Sequence, residues 1–174
     1  MKKLNFIIKC GLALLLLSFY SCESWLNVTP SDRLSEEMLF NDREGFVKAL
    51  NGVYIELNTN ELYGRNLTAG ALDVMGQYYS VASSSHAFYN YGGLVYTGND
   101  EKALFDNMWQ KCYAVIACCN TIIEKCDENK AGLSPVWRGS IKGEALALRA
   151  MLHFDMLRLF GPVYKLHPEM ESIP

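Results

Sequence analysis

The chain lacks the signatures that would announce an enzyme. It has no G-x-S-x-G, no H-E-x-x-H and no carboxylate pair set at a fixed spacing, so the serine-hydrolase and zinc-protease readings fall away. Histidine is scarce: His86, His153 and His167 stand apart, and in His153-Phe154-Asp155 the histidine and aspartate fall on different helix faces. None of the six cysteines forms a C-x-x-C pair, so no zinc site is expected. No catalytic residue, metal or cofactor is expected on these grounds. An excess of charge is missing too, with 16 basic against 19 acidic residues and no block of one sign. Nucleic acid and anionic membrane surfaces are therefore not the expected partners. Internal repeats and low-complexity tracts are also absent.

What is present begins with a leader. Lys2, Lys3 and Lys9 precede an apolar stretch over residues 10–20 that ends at the small Ser21, the layout of a secretory signal peptide. The stretch falls well short of the ~20 apolar residues needed to span a bilayer. Ser21-Cys22 resembles the lipobox of bacterial lipoproteins, although Phe19 and Tyr20 stand where that pattern prefers an aliphatic and a small residue. Cys22 is accordingly expected to be lipidated and to become the mature terminus, since two or more acyl chains hold a protein stably where one does not. Residues 22–36, beginning "CESWLNVTPSDR", would form a polar tether. From 174 residues, loss of the first 21 leaves 153, enough for one domain with a real core. Three lysines leave with the leader, so 13 basic residues face 19 acidic ones in the mature chain.

Three helices are legible by period. In "NDREGFVKALNGVYIELN", Asn41 and Glu44 make a capping box, and Phe46, Val47, Leu50, Val53, Tyr54 and Leu57 follow helical spacing. A second helix starts near Asn99-Asp100 and reaches about Cys126, with Leu104, Met108, Cys112, Val115, Cys119, Ile122 and Cys126 on one stripe. Phe105, Trp109, Tyr113, Ile116, Asn120 and Ile123 form a stripe beside it, so more than one side is buried. The third runs from about Pro135 to Phe160 on a stripe of Trp137, Ile141, Ala145, Leu148, Leu152, Met156 and Leu159, and Gly161-Pro162 stops it. The short link over 127–133 predicts an antiparallel hairpin.

Individual positions on these helices have readings of their own. Cys112, Cys119 and Cys126 recur every seven residues, about 10 Å apart along a helix, too far for disulfides. With Cys118 they read as buried thiols where helices approach closely. Asn120 reads as a buried amide bonding across helices. Glu144 and Arg149 lie about 140° apart around the axis, so each is expected to tie the third helix to a neighbour. Residues 61–98, interrupted by Gly64, Gly70, Gly76, Gly92, Gly93 and Gly98, read as a long irregular insert.

"NGVYIEL", "WQKCYAVIACCNTIIEK" and above all "IKGEALALRAMLHFDMLRLFGPV" resemble the amino-terminal part of the SusD-like (RagB/SusD) family of outer-membrane nutrient-uptake lipoproteins. Gly143-Glu144-Ala145, Arg149-Ala150 and Phe160-Gly161 are the most specific pieces, with Trp109, Tyr113, Ile116 and Asn120 in support. The resemblance runs from Cys22 to about Val163, and the family's cysteine-led terminus falls on Cys22. It implies an all-α fold of tetratricopeptide-like helix hairpins over 37–174, carrying the long insert. It implies no enzyme, but a lipid-anchored protein of the outer-membrane cell surface that binds oligosaccharide and passes it to a SusC-like, TonB-dependent transporter. Family members are longer, and "KLHPEMESIP" supplies no closing element, so the chain is expected to be truncated before the region that completes the glycan site.

Within that reading the insert is the expected site. It holds Tyr63, Tyr78, Tyr79, Phe88, Tyr89, Tyr91 and Tyr96. Tyrosine offers an apolar ring to the C–H face of a sugar and a hydroxyl to its polar edge. Asp73, Tyr78, Tyr89, Tyr91, Tyr96 and Asn99 are the glycan-binding candidates, with Gln77 and Asn90 among the accompanying polar groups. Tyr89, Tyr91 and Tyr96 come first because they flank Gly92-Gly93, where backbone can approach a ligand. The competing reading is a lipoprotein scaffold of helices that binds protein and no carbohydrate, for which these rings are packing.

Overall fold

The three periodic stretches become three long helices, and the glycine-interrupted insert becomes turns with two short ones. The computed structural model describes residues 36–162 and 165–166. The expected leader, Cys22, nearly all of the expected tether and His167 lie outside the described residues. The order is α1 (Glu36–Leu39), α2 (Arg43–Leu57), α3 (Ala71–Met75), α4 (Tyr89–Gly92), α5 (Asn99–Glu128) and α6 (Pro135–Phe160). No strand occurs among the described residues, and no helix there is long and apolar enough to cross a membrane.

Cross-helix partners give the topology. As the α5 position rises from 109 to 120 to 127, the partners on α6 fall from Phe160 to Arg149 to Lys142, so the two are antiparallel. The turn between them reverses because Asn129 takes a left-handed backbone (φ 46°) while its side chain accepts from Leu133 N at 2.8 Å. Ser134 then caps α6 through Trp137 N, with Pro135 as the first helical residue. At the far end the cap is Gly161, whose N–H bonds Leu157 O at 2.9 Å; a Cβ there would sit 2.5 Å from that carbonyl. Helix α2 lies against both, with Arg43 over the Trp137 ring and Tyr54 bonded to Glu144, so it runs parallel to α6.

The cap of α2 falls one residue later than the capping box predicted. Asp42, not Asn41, has the extended backbone and accepts from Gly45 N at 2.8 Å. That moves Glu44 off the box position, and it pairs instead with Lys48 at 2.8 Å.

The main core is built from α2, α5 and α6. Cys112, Cys119 and Cys126 are fully buried along its middle, together with Met108, Val115, Ile122, Ala145, Leu152 and Met156. Small thiols there let α5 and α6 close up, and Cys112 Sγ faces Leu152 O at 3.9 Å. Three expectations need correction. Cys118 is exposed, since one residue turns the helix by about 100° and carries it off the buried stripe of Cys119. Trp137 is 43% exposed, in the first turn of α6, where its ring lies under the Arg43 guanidinium instead of in the core. Asn120 is exposed as well, although it does bond across helices as expected, accepting from Arg149 Nη1 at 2.8 Å.

The signature positions thus have structural jobs. Glu144 accepts from Tyr54 of α2, Arg149 donates to Asn120 of α5, and Ala145 fills the buried seam. Phe160 stands edge-on to Trp109 at 5.0 Å, and Trp109 lies 4.7 Å from Tyr113. Each ties the hairpin or its neighbour.

Candidate functional site

Residues 61–98 are more ordered than an irregular insert, because they carry a small core of their own. Ala71, Val74, Phe88 and Tyr91 are buried together, flanked by Met75, Val81 and Tyr96, and closed by Leu104 and Phe105 of α5. The insert is therefore held on the amino-terminal end of α5 by apolar burial. Its start is pinned separately: the Tyr63 hydroxyl donates to buried Asp155 of α6, which also takes Arg158. Burial first, then the Asp155 bond, holds the Tyr63 phenol well above its ordinary value.

Between the end of α3 and α4 lies a hollow of about 320 Å³, within the range of small-ligand sites. Gln77, Tyr79, Ser80, Val81, Tyr89, Asn90, Gly92, Gly93 and Val95 line it. Local chemistry builds each wall. Gln77 takes a left-handed backbone (φ 60°), and its side-chain nitrogen donates to Val74 O at 3.3 Å and Gly92 O at 2.9 Å. That clamp holds α3 to α4. Tyr79 is fixed through its hydroxyl, which donates to the Ala69 and Gly70 carbonyls, leaving its ring at the hollow. Asn90 is fixed at 2.7 Å by Glu101 of α5, and Gly92-Gly93 form a stretch of wall without side chains.

The sequence-expected residues separate here. Tyr89, 42% exposed, lines the hollow beside Gly92-Gly93. Tyr91 does not: at 2% exposure it is a core ring, edge-on to Phe88 and Phe105 at 5.9 Å. On α4 it is two residues from Tyr89 and so points to the other side. Burial, with the nearby Glu101 and Asp100 charges, pushes its phenol up to about 12. Tyr96 packs on the same cluster, 5.4 Å edge-on to Phe105. Asp73 and Tyr78, the latter 82% exposed, line a second hollow of about 490 Å³ with Leu67, Leu72, Met75, Arg158 and Leu159. Asn99, exposed at the start of α5, lines neither.

Glu101 went unnoticed in the sequence. Only 6% exposed, it is held below the usual carboxylate range chiefly by the Asn90 bond. A glutamate in the first turn of a helix reads as an ordinary dipole partner, and nothing local signals a partner eleven residues earlier. Among the described residues, no group of three His, Cys, Asp or Glu is placed to hold a metal. The hollow itself is walled by amides, hydroxyls, two aromatic rings and aliphatic surface, with no carboxylate, imidazole or thiol.

A family model described as "Starch-binding associating with outer membrane", SusD-like, matches residues 24–172. SusD-like protein P2 of Formosa agariphila is 25% identical over 166 residues, covering 92% of this chain and 30% of that protein. SusD-like protein P25 of the same organism is 23% identical over 163 residues, covering 84% of this chain and 29% of that protein. The chain thus spans less than a third of the length of these relatives. No solved structure matches it significantly.

Proposed function

Because the chain belongs to the SusD-like family, we propose that it is a cell-surface lipoprotein which binds oligosaccharide and hands it to a SusC-like, TonB-dependent outer-membrane transporter. The observation that carries the reading is the hollow beside Gly92-Gly93. Tyr89 and Tyr79 offer ring faces to the C–H surface of a sugar, and Gln77, Ser80 and Asn90 offer hydrogen bonds to its hydroxyls. The glycines let pyranose rings approach the backbone. Asp73 and Tyr78 are proposed as an outer contact from the second hollow. Tyr91 and Tyr96 support the platform from beneath, and Asn99, which lines neither hollow, is left out of the proposed site.

Anchoring is proposed through Cys22. Its mutation to serine should release the protein from the membrane fraction and remove the lipid mass from the terminus. Attachment that survives Cys22→Ser would overturn that part. Binding is tested by calorimetric titration of the intact lipoprotein with maltoheptaose, mannohexaose and xylohexaose. Saturable heat with at least one is expected; silence with all three, while a barrel transporter still co-purifies, would favour the protein-only scaffold.

A further inference from the structure

We infer that the hollow beside Gly92-Gly93 discriminates against acidic glycans, and that Glu101 is the residue setting this preference. The inference rests on the glycan-binding reading above and sharpens it to a substrate class. Its first support is the lining, in which no residue is charged. A uronate or sulfated sugar would leave water there without gaining a cation in exchange. Arg65 is engaged over the Phe88 ring at 5.6 Å, and neither it nor Lys102 lines the hollow.

The second support is a fixed negative charge directly behind the wall. Asn90 lines the hollow, and its amide nitrogen stands 2.7 Å from Glu101 Oε1. Glu101 is only 6% exposed, and the backbone passes close to its carboxylate: a Cβ at Gly98 would lie 2.0 Å from Glu101 Oε2. Asp100, next to it in the first turn of α5, adds to the same field. An acidic group bound against Asn90 would face that carboxylate across a single amide.

The third support is the hydrogen-bond inventory. The side-chain nitrogen of Gln77 is committed to two carbonyls, the Tyr79 hydroxyl to two more, and the Asn90 nitrogen to Glu101. What the two amides have left is mainly carbonyl oxygen, which only accepts, so the Ser80 and Tyr89 hydroxyls are the lining's remaining side-chain O–H donors. A neutral sugar hydroxyl can donate to the amide oxygens; a carboxylate or sulfate oxygen cannot.

Glu101 is thus a positioning residue whose charge also reads the ligand, and the two roles separate experimentally. Glu101→Gln keeps an oxygen for the Asn90 amide and removes only the charge. The intact lipoprotein would be titrated with maltoheptaose and mannohexaose, and with each after oxidation of C6 to the uronic acid. Titrations at about 20 and 200 mM salt expose the screened part. A unit charge about 6 Å away through water corresponds to roughly a threefold change in Kd. Wild type should prefer the neutral form at least that much at low salt, and the gap should shrink with added salt. Glu101→Gln should keep neutral binding and narrow the gap; a merely structural role would leave the ratio alone. Val95→Lys, at the exposed rim, should narrow or invert the preference and so tests that the discrimination is made in this hollow. Glu101→Ala, which also removes the charge, tests the role of Glu101 if Glu101→Gln fails to fold. Equal or tighter wild-type binding of the oxidised sugars, or a ratio unmoved by the Glu101 or by the Val95 variant, overturns the inference alone. Failure of wild type to bind either form overturns the glycan reading and this inference with it.

Discussion

Burial decides how the cysteines of α5 behave. Desolvation pushes the Cys112 thiol up to about 12 and Cys119 up to about 11, and raises Cys126 as well. Thiols held protonated and out of solvent react slowly. In a chain carrying Cys10→Ser and Cys22→Ser, a thiol reagent should label exposed Cys118 promptly in the native state and all four only on unfolding. Fewer than four after unfolding without reductant would mean that a disulfide exists. The same shifts set a pH dependence. Folding favours the protonated forms of Cys112, Cys119 and Tyr91, whose ordinary values are 9.0, 9.0 and 10.0. Their contribution is intact below pH 9 and is lost as pH rises toward 11–12, because the unfolded chain ionises first. The urea midpoint should therefore fall above pH 9; a flat midpoint up to pH 11 would contradict this burial.

Helices were legible because their evidence is local and repeated. Seven apolar positions in register fixed α5, and Pro135 with Gly161-Pro162 bounded α6. Caps are single contacts, and there the sequence misled by one residue, since Asn41 and Asp42 are both good cap residues and only backbone geometry chooses. Asp42→Ala should lower stability by about 1 kcal/mol and Asn41→Ala by less than about 0.5; thermal unfolding of the two variants separates them. Core stripes misled at single positions, Trp137 at the start of α6 and Asn120 and Tyr54 within their helices. Leu152, wholly buried, should cost about 2–5 kcal/mol as alanine. Exposed Trp137, which only carries the Arg43 guanidinium at 4.7 Å, should cost about 1 kcal/mol or less. Equal losses would mean that Trp137 belongs to the core after all.

At the scale of the molecule, composition and resemblance pointed to the insert as the candidate site but did not sort its rings. Tyr89 and Tyr91 are the same residue type two positions apart, and four-residue α4 sends one to the hollow and the other into the small core. No period over so short an element could have told them apart. Glu101 and Asp155 were missed for a related reason: each is buried by a partner that is remote in sequence, Asn90 and Tyr63. The separation of Tyr89 from Tyr91 gives the account its most direct test. Oligosaccharide affinity and thermal unfolding would be measured side by side for Tyr89→Ala and Tyr91→Ala in the intact protein. Tyr89→Ala should weaken binding by about 1 kcal/mol, roughly fivefold in Kd, with the unfolding temperature unchanged. Tyr91→Ala should lower stability by about 3–5 kcal/mol, as truncation of a buried ring does. Unaltered affinity in Tyr89→Ala, or a loss seen only in step with lost stability, would contradict the placing of the sugar in this hollow.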